Sequence, residues 1–188
     1  MISSRAKAGR HCTAYSSRCC HPHPSAHRWR AWRMDCAPAT PHTRWVNPER
    51  YHLTLHYLGE SSGPREDWIA RAREAAEGFS GEAFHLQLDH LLPLGNPWRP
   101  ALTLAAFSSS TELLRFWRGL QERLIRAGFK DHVGRSFVPH LTLGYSEPGP
   151  ATPAVASVGL APDGFVLIQS IKGQSDYTFL GHWRLGTD

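Results

Sequence analysis

The stretch "YHLTLHYLG", residues 51–59, alternates as a β-strand does, and "PHLTLGYS", residues 139–146, repeats it 88 positions later. HLTLHY and HLTLGY agree at five of six positions. Successive strand side chains point to opposite faces, so Leu53, Leu55 and Tyr57 are expected on one face and His52, Thr54 and His56 on the other. In the second copy Tyr145 is expected to share the Leu141 and Leu143 face, opposite His140 and Thr142. An apolar face is ordinary core. A His-x-Thr row made twice calls for another reason.

Outward from these rows the signals are regular. "RWVNPERYHLTLHYLGE" gives a lead-in loop through Pro48 and a strand at about 51–58, stopped by Gly59. "SSGPREDWIARAREAAEG" reads as a helix with Pro64 near its start, Glu66 and Asp67 in its first turn, and an apolar stripe of Trp68, Ile69, Ala72 and Ala76. "FHLQLDHLL" and "PALTLAAF" are strands around an "NPW" turn. "SSSTELLRFWRGLQERLIRAGF" is the strongest helix, with Ser109 and Glu112 at capping-box spacing and Gly128 at its end. After the second motif come a loop from about 147 to 163 and a closing pair of strands, "GFVLIQSIKG" and "YTFLGHWRL". Short strands on tight connections, with two helices interleaved, predict an α+β domain of antiparallel sheets.

Charge and cysteine divide the chain. Residues 1–50 hold nine Arg and Lys against Asp35 and Glu49, while residues 51–188 hold twelve against fourteen acids. The overall charge of +5 is therefore an N-terminal property, and the body is not a polycation of the kind that binds nucleic acid by bulk charge. All four cysteines lie in the first 36 residues, so the body needs no disulfide framework and suits a reducing, cytoplasmic setting. No apolar run has membrane-spanning length. Residues 1–40 are expected to be a poorly ordered, atypical segment and residues 41–188 the functional domain. Cys12, Cys19, Cys20, His21, His23 and His27 match no paired zinc-ligand spacing, so no metal and no cofactor is expected.

Two His-x-Thr rows facing each other across a cleft would bring together two groups that titrate near neutrality and two hydroxyl donors. In-line displacement at a phosphodiester needs a base for the nucleophile, an acid for the leaving oxygen and donors for the equatorial oxygens. The four side chains supply all three, and a strained cyclic phosphate is the easiest such substrate. His56 extends the first row and is a candidate rim or substrate contact, as are Arg135 and Tyr145.

On these residues the chain resembles the 2H phosphoesterase superfamily, and more closely its RNA 2′,3′-cyclic phosphodiesterase branch, also called 2′-5′ RNA ligases (LigT/ThpR-like). "RWVNPERYHLTLHYLGE" looks like the first motif, "RSFVPHLTLGY" the second and "SDYTFLGHWRLG" the final strand, a likeness over about residues 41–186. It implies a two-lobed fold of antiparallel sheets around a central cleft, helices outside, acting as a monomer on RNA with a 2′,3′-cyclic phosphate end or on a cyclic nucleotide. It also implies roles: His52 protonating the leaving 3′ oxygen, His140 activating water, Thr54 and Thr142 holding the phosphate. Where many relatives carry an Arg aimed at the phosphate, this chain has Tyr145. Relatives also begin with an apolar strand and helix. In residues 1–40 the strand is expected to be missing or replaced, with Trp29, Trp32 and Met34 the remnant of the helix. That composition is what a shifted frame of a GC-rich gene yields, restored near residue 40. The alternatives are a non-catalytic binder of RNA or nucleotide ends, disabled by this N-terminus, and a 2H enzyme acting on small cyclic nucleotides or 2′-5′ linkages.

Overall fold

The computed structural model describes residues 13–20, 26–36, 40, 42–134, 136–147, 154–174 and 176–186. In chain order these form β1 (Thr13–Cys20), α1 (Ala26–Cys36), β2 (Arg44–Trp45), β3 (Leu53–Ser61), α2 (Glu66–Ala76), β4 (Leu86–Leu88), β5 (His90–Leu94), β6 (Ala101–Ala105), α3 (Thr111–Leu124), β7 (His140–Tyr145), β8 (Val158–Leu160), β9 (Gly164–Ile171) and β10 (Tyr177–Arg184). A 3-10 turn over Pro48–Arg50 leads into β3. The fold is α+β and every strand pairing is antiparallel.

One sheet carries the order β10-β9-β1-β3-β7-β6-β5, with β2 paired to β7 beside β3. It is two lobes. β10, β9, β1 and β3 are joined along their lengths, and so are β7, β6 and β5. Between β3 and β7 the pairing is the single rung Leu53–Leu141, so the strands part on either side of it. The first lobe coils strongly. Tyr177 pairs with Ser170 at the corner diagonal to the start of β3, yet its ring lies 5.9 Å from that of His52.

The core fills the face that Leu53 and Leu141 share. Leu53, Leu55 and Leu58 from β3, Leu141 and Leu143 from β7, and Leu113, Phe116, Leu120 and Leu124 from α3 are all buried there. The sequence periodicity thus found α3, and its N-cap sits one residue later than expected, with Ser110 Oγ accepting from Leu113 N at 3.2 Å. β3 does not stop at Gly59 but runs on to Ser61. "FHLQLDHLL" divides: β4 pairs with β8 in a small separate sheet, and β5 joins the main one.

The expectation of a missing or replaced first strand resolves toward a filled slot. Backbone of Thr13–Cys20 lies between β3 and β9 and pairs with both, so neither neighbour shows an open edge there. The helix remnant is α1. Trp29 and Trp32 are buried, Trp32 Nε1 donates to Ala156 O at 2.8 Å, and Met34 faces solvent. Trp29 packs edge-on against Tyr51, the residue before His52, at 5.3 Å, so α1 backs the first motif. Burial pushes the Tyr51 phenol up to about 12.

Candidate active site

The rung between Leu53 and Leu141 fixes the site. In that antiparallel register His52 stands opposite Thr142 and Thr54 opposite His140. Residues on either side of a rung that stand opposite one another share a face. The leucines are buried beneath, and all four His and Thr residues are half-buried on the other face. The two rows therefore lie side by side on one face at this rung.

Both imidazoles are held alike. His52 Nδ1 lies 2.6 Å from Arg50 O, and His140 Nδ1 lies 2.7 Å from Val138 O, the carbonyl two residues back in each case. A carbonyl can only accept, so each Nδ1 carries a proton and donates it. The nitrogen left to exchange a proton is Nε2 on both rings. The edge of the His52 ring also meets Tyr177, and the Arg50 guanidinium lies 4.4 Å over that tyrosine.

Beyond each threonine the strand breaks its alternation. Against β1, Thr54 pairs with Arg18 and His56 with Ser17, so Leu55 is an extra residue. Against β6, Thr142 pairs with Thr103 and Gly144 with Leu102, so Leu143 is an extra residue. Each "HLTL" thus ends in a β-bulge at its second leucine, and the bulge swaps the faces of the residues just after it, until on β3 a second bulge at Leu58 swaps them back. His56 turns into the core and Tyr57 out of it. Gly144 turns inward and Tyr145 joins the site face.

Three expectations are corrected by this one feature. His56 is no rim or substrate contact. It is 2% exposed, stacked on Trp117 at 5.0 Å, and its Nε2 donates to Trp117 O at 3.0 Å. Burial pulls its pKa down to about 4, against a smaller opposing effect of that hydrogen bond, so it is neutral at physiological pH. Tyr57 is 42% exposed instead of joining the leucines. Tyr145 is 38% exposed and lies under the Arg44 guanidinium at 5.9 Å, not in the core. A signal was present in the sequence: both copies put a tyrosine three residues after the threonine, a repetition that plain alternation leaves unexplained.

Beside His52 a cavity of about 430 Å³ opens between the 44–50 segment and the start of β10. Arg44, Trp45, Arg50, Asp176, Tyr177 and Phe179 line it. Sequence reasoning missed these residues because strand pairing and coiling bring them together from distant parts of the chain. Arg135, Cys12, His21 and His23 lie outside the described residues, as do the side chains of Cys19, Cys20 and His27. Among the described residues no three His, Cys, Asp or Glu gather as metal ligands, and no helix is long and apolar enough to cross a membrane.

Known proteins share this fold. The apo structure of LigT from E. coli superposes with a TM-score of 0.75 at 22% identity, over 94% of this chain and 99% of that one. LigT complexed with 3′-AMP gives 0.72 at 23% identity, over 94% of this chain and 99% of that chain. An RNA 2′,3′-cyclic phosphodiesterase of Archaeoglobus fulgidus is 29% identical over 99 residues, about half of this chain and half the length of that relative (53% of each). The 2′-5′ RNA ligase superfamily matches residues 21–165, a span that holds both His-x-Thr rows and α1. By that match, over well more than half its length, this chain belongs to the 2′-5′ RNA ligase superfamily, the 2H phosphoesterases that its paired motifs resemble.

Proposed function

We propose that this chain hydrolyses 2′,3′-cyclic phosphate ends of RNA to 2′-phosphomonoesters, as a cytoplasmic enzyme whose own side chains supply the acid, the base and the oxyanion donors without a metal. The observation that carries the reading is the crossed register at the Leu53–Leu141 rung, which sets each histidine against the other motif's threonine. The curated relative named for this activity supports it.

The steps follow the roles that the family resemblance implies. His140 Nε2 takes a proton from water, and the water oxygen attacks phosphorus in line with the P–O3′ bond. That bond breaks as His52 Nε2–H gives its proton to O3′, leaving the 2′ ester. Thr54 and Thr142 hydroxyls donate to the non-bridging oxygens as charge builds on them. The Nδ1–carbonyl bonds hold each ring so that only Nε2 moves a proton.

Adenosine 2′,3′-cyclic phosphate incubated with the protein in excess chelator should give adenosine 2′-phosphate, with a bell-shaped dependence of rate on pH. Binding of a 2′-phosphate-ended oligonucleotide with no turnover would replace this reading by a non-catalytic end-binder. Formation of the 3′-phosphate would reverse the leaving oxygen.

A further inference from the structure

We propose that Arg44 and Arg50 form a second phosphate subsite in the cavity beside His52, which takes the 5′-phosphate of the terminal nucleotide and so makes an RNA end, not a nucleoside cyclic phosphate, the preferred ligand. The proposal rests on the reading above, that the cyclic phosphate is held between His52 and His140.

Chemistry first places the nucleoside. In-line attack sets the incoming oxygen on the His140 side and the leaving O3′ on the His52 side. The ribose carrying O3′ therefore lies toward His52, where the cavity is. The next group along the chain is the phosphate on the 5′ oxygen of that ribose.

The strand register then places a cation within reach. Arg44 pairs with Tyr145 across β2 and β7, and the bulge at Leu143 has put Tyr145 on the site face, so Arg44 points to that face too. It stands three residues beyond Thr142, on the order of 10 Å along the strand. Arg44 also lines the cavity, on the side where the phosphate beyond the sugar would lie.

Both guanidiniums are available to an anion. Among the described residues, neither Arg44 nor Arg50 forms an ion pair with a carboxylate. Two acids also line the cavity. Glu49 is turned to Asn47, whose Nδ2 donates to its Oε2 at 3.4 Å, and Asp176 is exposed. The Arg50 Nε is buried and has no acceptor. Its guanidinium lies over the Tyr177 ring, a cation–π contact. A buried N–H without an acceptor is costly, and a phosphate offers several oxygens to two such forks at once.

Calorimetry with two product-type ligands, adenosine 2′-phosphate and adenosine 2′,5′-bisphosphate, tests the subsite. The bisphosphate should bind at least about tenfold more tightly to the unaltered protein, the scale of one charge-assisted contact. Arg44→Gln should bring the two affinities to within about threefold, and Arg44→Lys should keep part of the preference. Arg50→Gln is the second variant, expected to do the same. Equal affinities in the unaltered protein, no binding of either ligand, or equal weakening of both by Arg44→Gln would each overturn the proposal. Turnover does not enter this measurement. A 5′-phosphate preference without turnover would fault the phosphodiesterase reading alone, and turnover without the preference would fault the subsite alone.

Discussion

The two HLTL strands carry the same letters and reach the same geometry, but different neighbours hold them. Behind β3 the bulge is gripped from α3: Trp117 Nε1 donates to Leu55 O at 2.9 Å, and its ring takes the stacked His56. Behind β7 there is no side chain to grip. Gly144 takes the place of His56, and a Cβ there would meet Arg44 O at 2.7 Å and Thr43 Cγ2 at 2.8 Å, because β2 crosses so closely. One arm is fixed by a large aromatic pair and the other by the approach of backbone. The His-Thr face shows no such difference. Both arms offer a half-buried histidine tied through Nδ1, a threonine two residues on, and a tyrosine after the bulge.

The largest effect should come from breaking that shared face. His52→Ala and His140→Ala should each lower kcat on adenosine 2′,3′-cyclic phosphate by about 10²–10⁴-fold, the usual worth of a general acid or base. Their pH profiles should differ. Without the acid His52 the fall at high pH disappears, and without the base His140 the fall at low pH disappears. Full activity in either variant would end the two-histidine mechanism, and loss of the same limb in both would end the division of roles. A smaller loss, about 10²-fold in kcat, is expected for Thr54→Val and for Thr142→Val, in line with the removal of one oxyanion donor. A change confined to KM in both would mean that the hydroxyls bind the ground state only.

Much of this was legible in the sequence. Two copies of a polar row on an apolar strand suggest convergence if each row sits on a central strand beside a cleft, and the Leu53–Leu141 rung sets the two rows side by side. The faces beyond Thr54 and Thr142 were not legible. A bulge is set by what lies across the ladder and behind it, here β1, β6 and Trp117, and plain alternation cannot register an inserted residue. β1 was missed for a related reason. A strand hydrogen-bonded along both edges is held through its backbone, so "TAYSSRCC" needs no apolar alternation to occupy the middle of a lobe. The cavity cations were missed because Arg44 and Arg50 flank a loop in sequence and meet Tyr145 and Tyr177 only after pairing and coiling.

The arm behind β7 can be broken without touching the chemistry. Gly144→Ala sets a methyl group against β2 backbone, which cannot move as a side chain would, and should cost about 2 kcal/mol of stability. Urea unfolding measures it. A neutral result would mean that β2 is not packed so closely, and with it the placement of Arg44 on the site face would fall.

The gentlest test uses pH to loosen the other arm alone. His56 is held neutral in the folded chain, with its pKa drawn from 6.5 down to about 4 by burial. The unfolded chain therefore binds a proton that the folded chain refuses between those two values. Stability from this residue is complete above pH 6.5, falls by about 1.4 kcal/mol per pH unit below it, and levels off below pH 4 after a loss of about 3 kcal/mol. Gly144 has nothing to titrate, so the β7 arm contributes no such slope. Unfolding midpoints of the unaltered protein and His56→Leu, compared from pH 7.5 to 5, should diverge at the top of this range and close toward its acid end. The variant leaves Trp117 O without its donor, a cost that shifts the whole curve and does not tilt it. Parallel curves would mean that His56 is charged or solvated, and that the bulge at Leu55 does not turn it into the core.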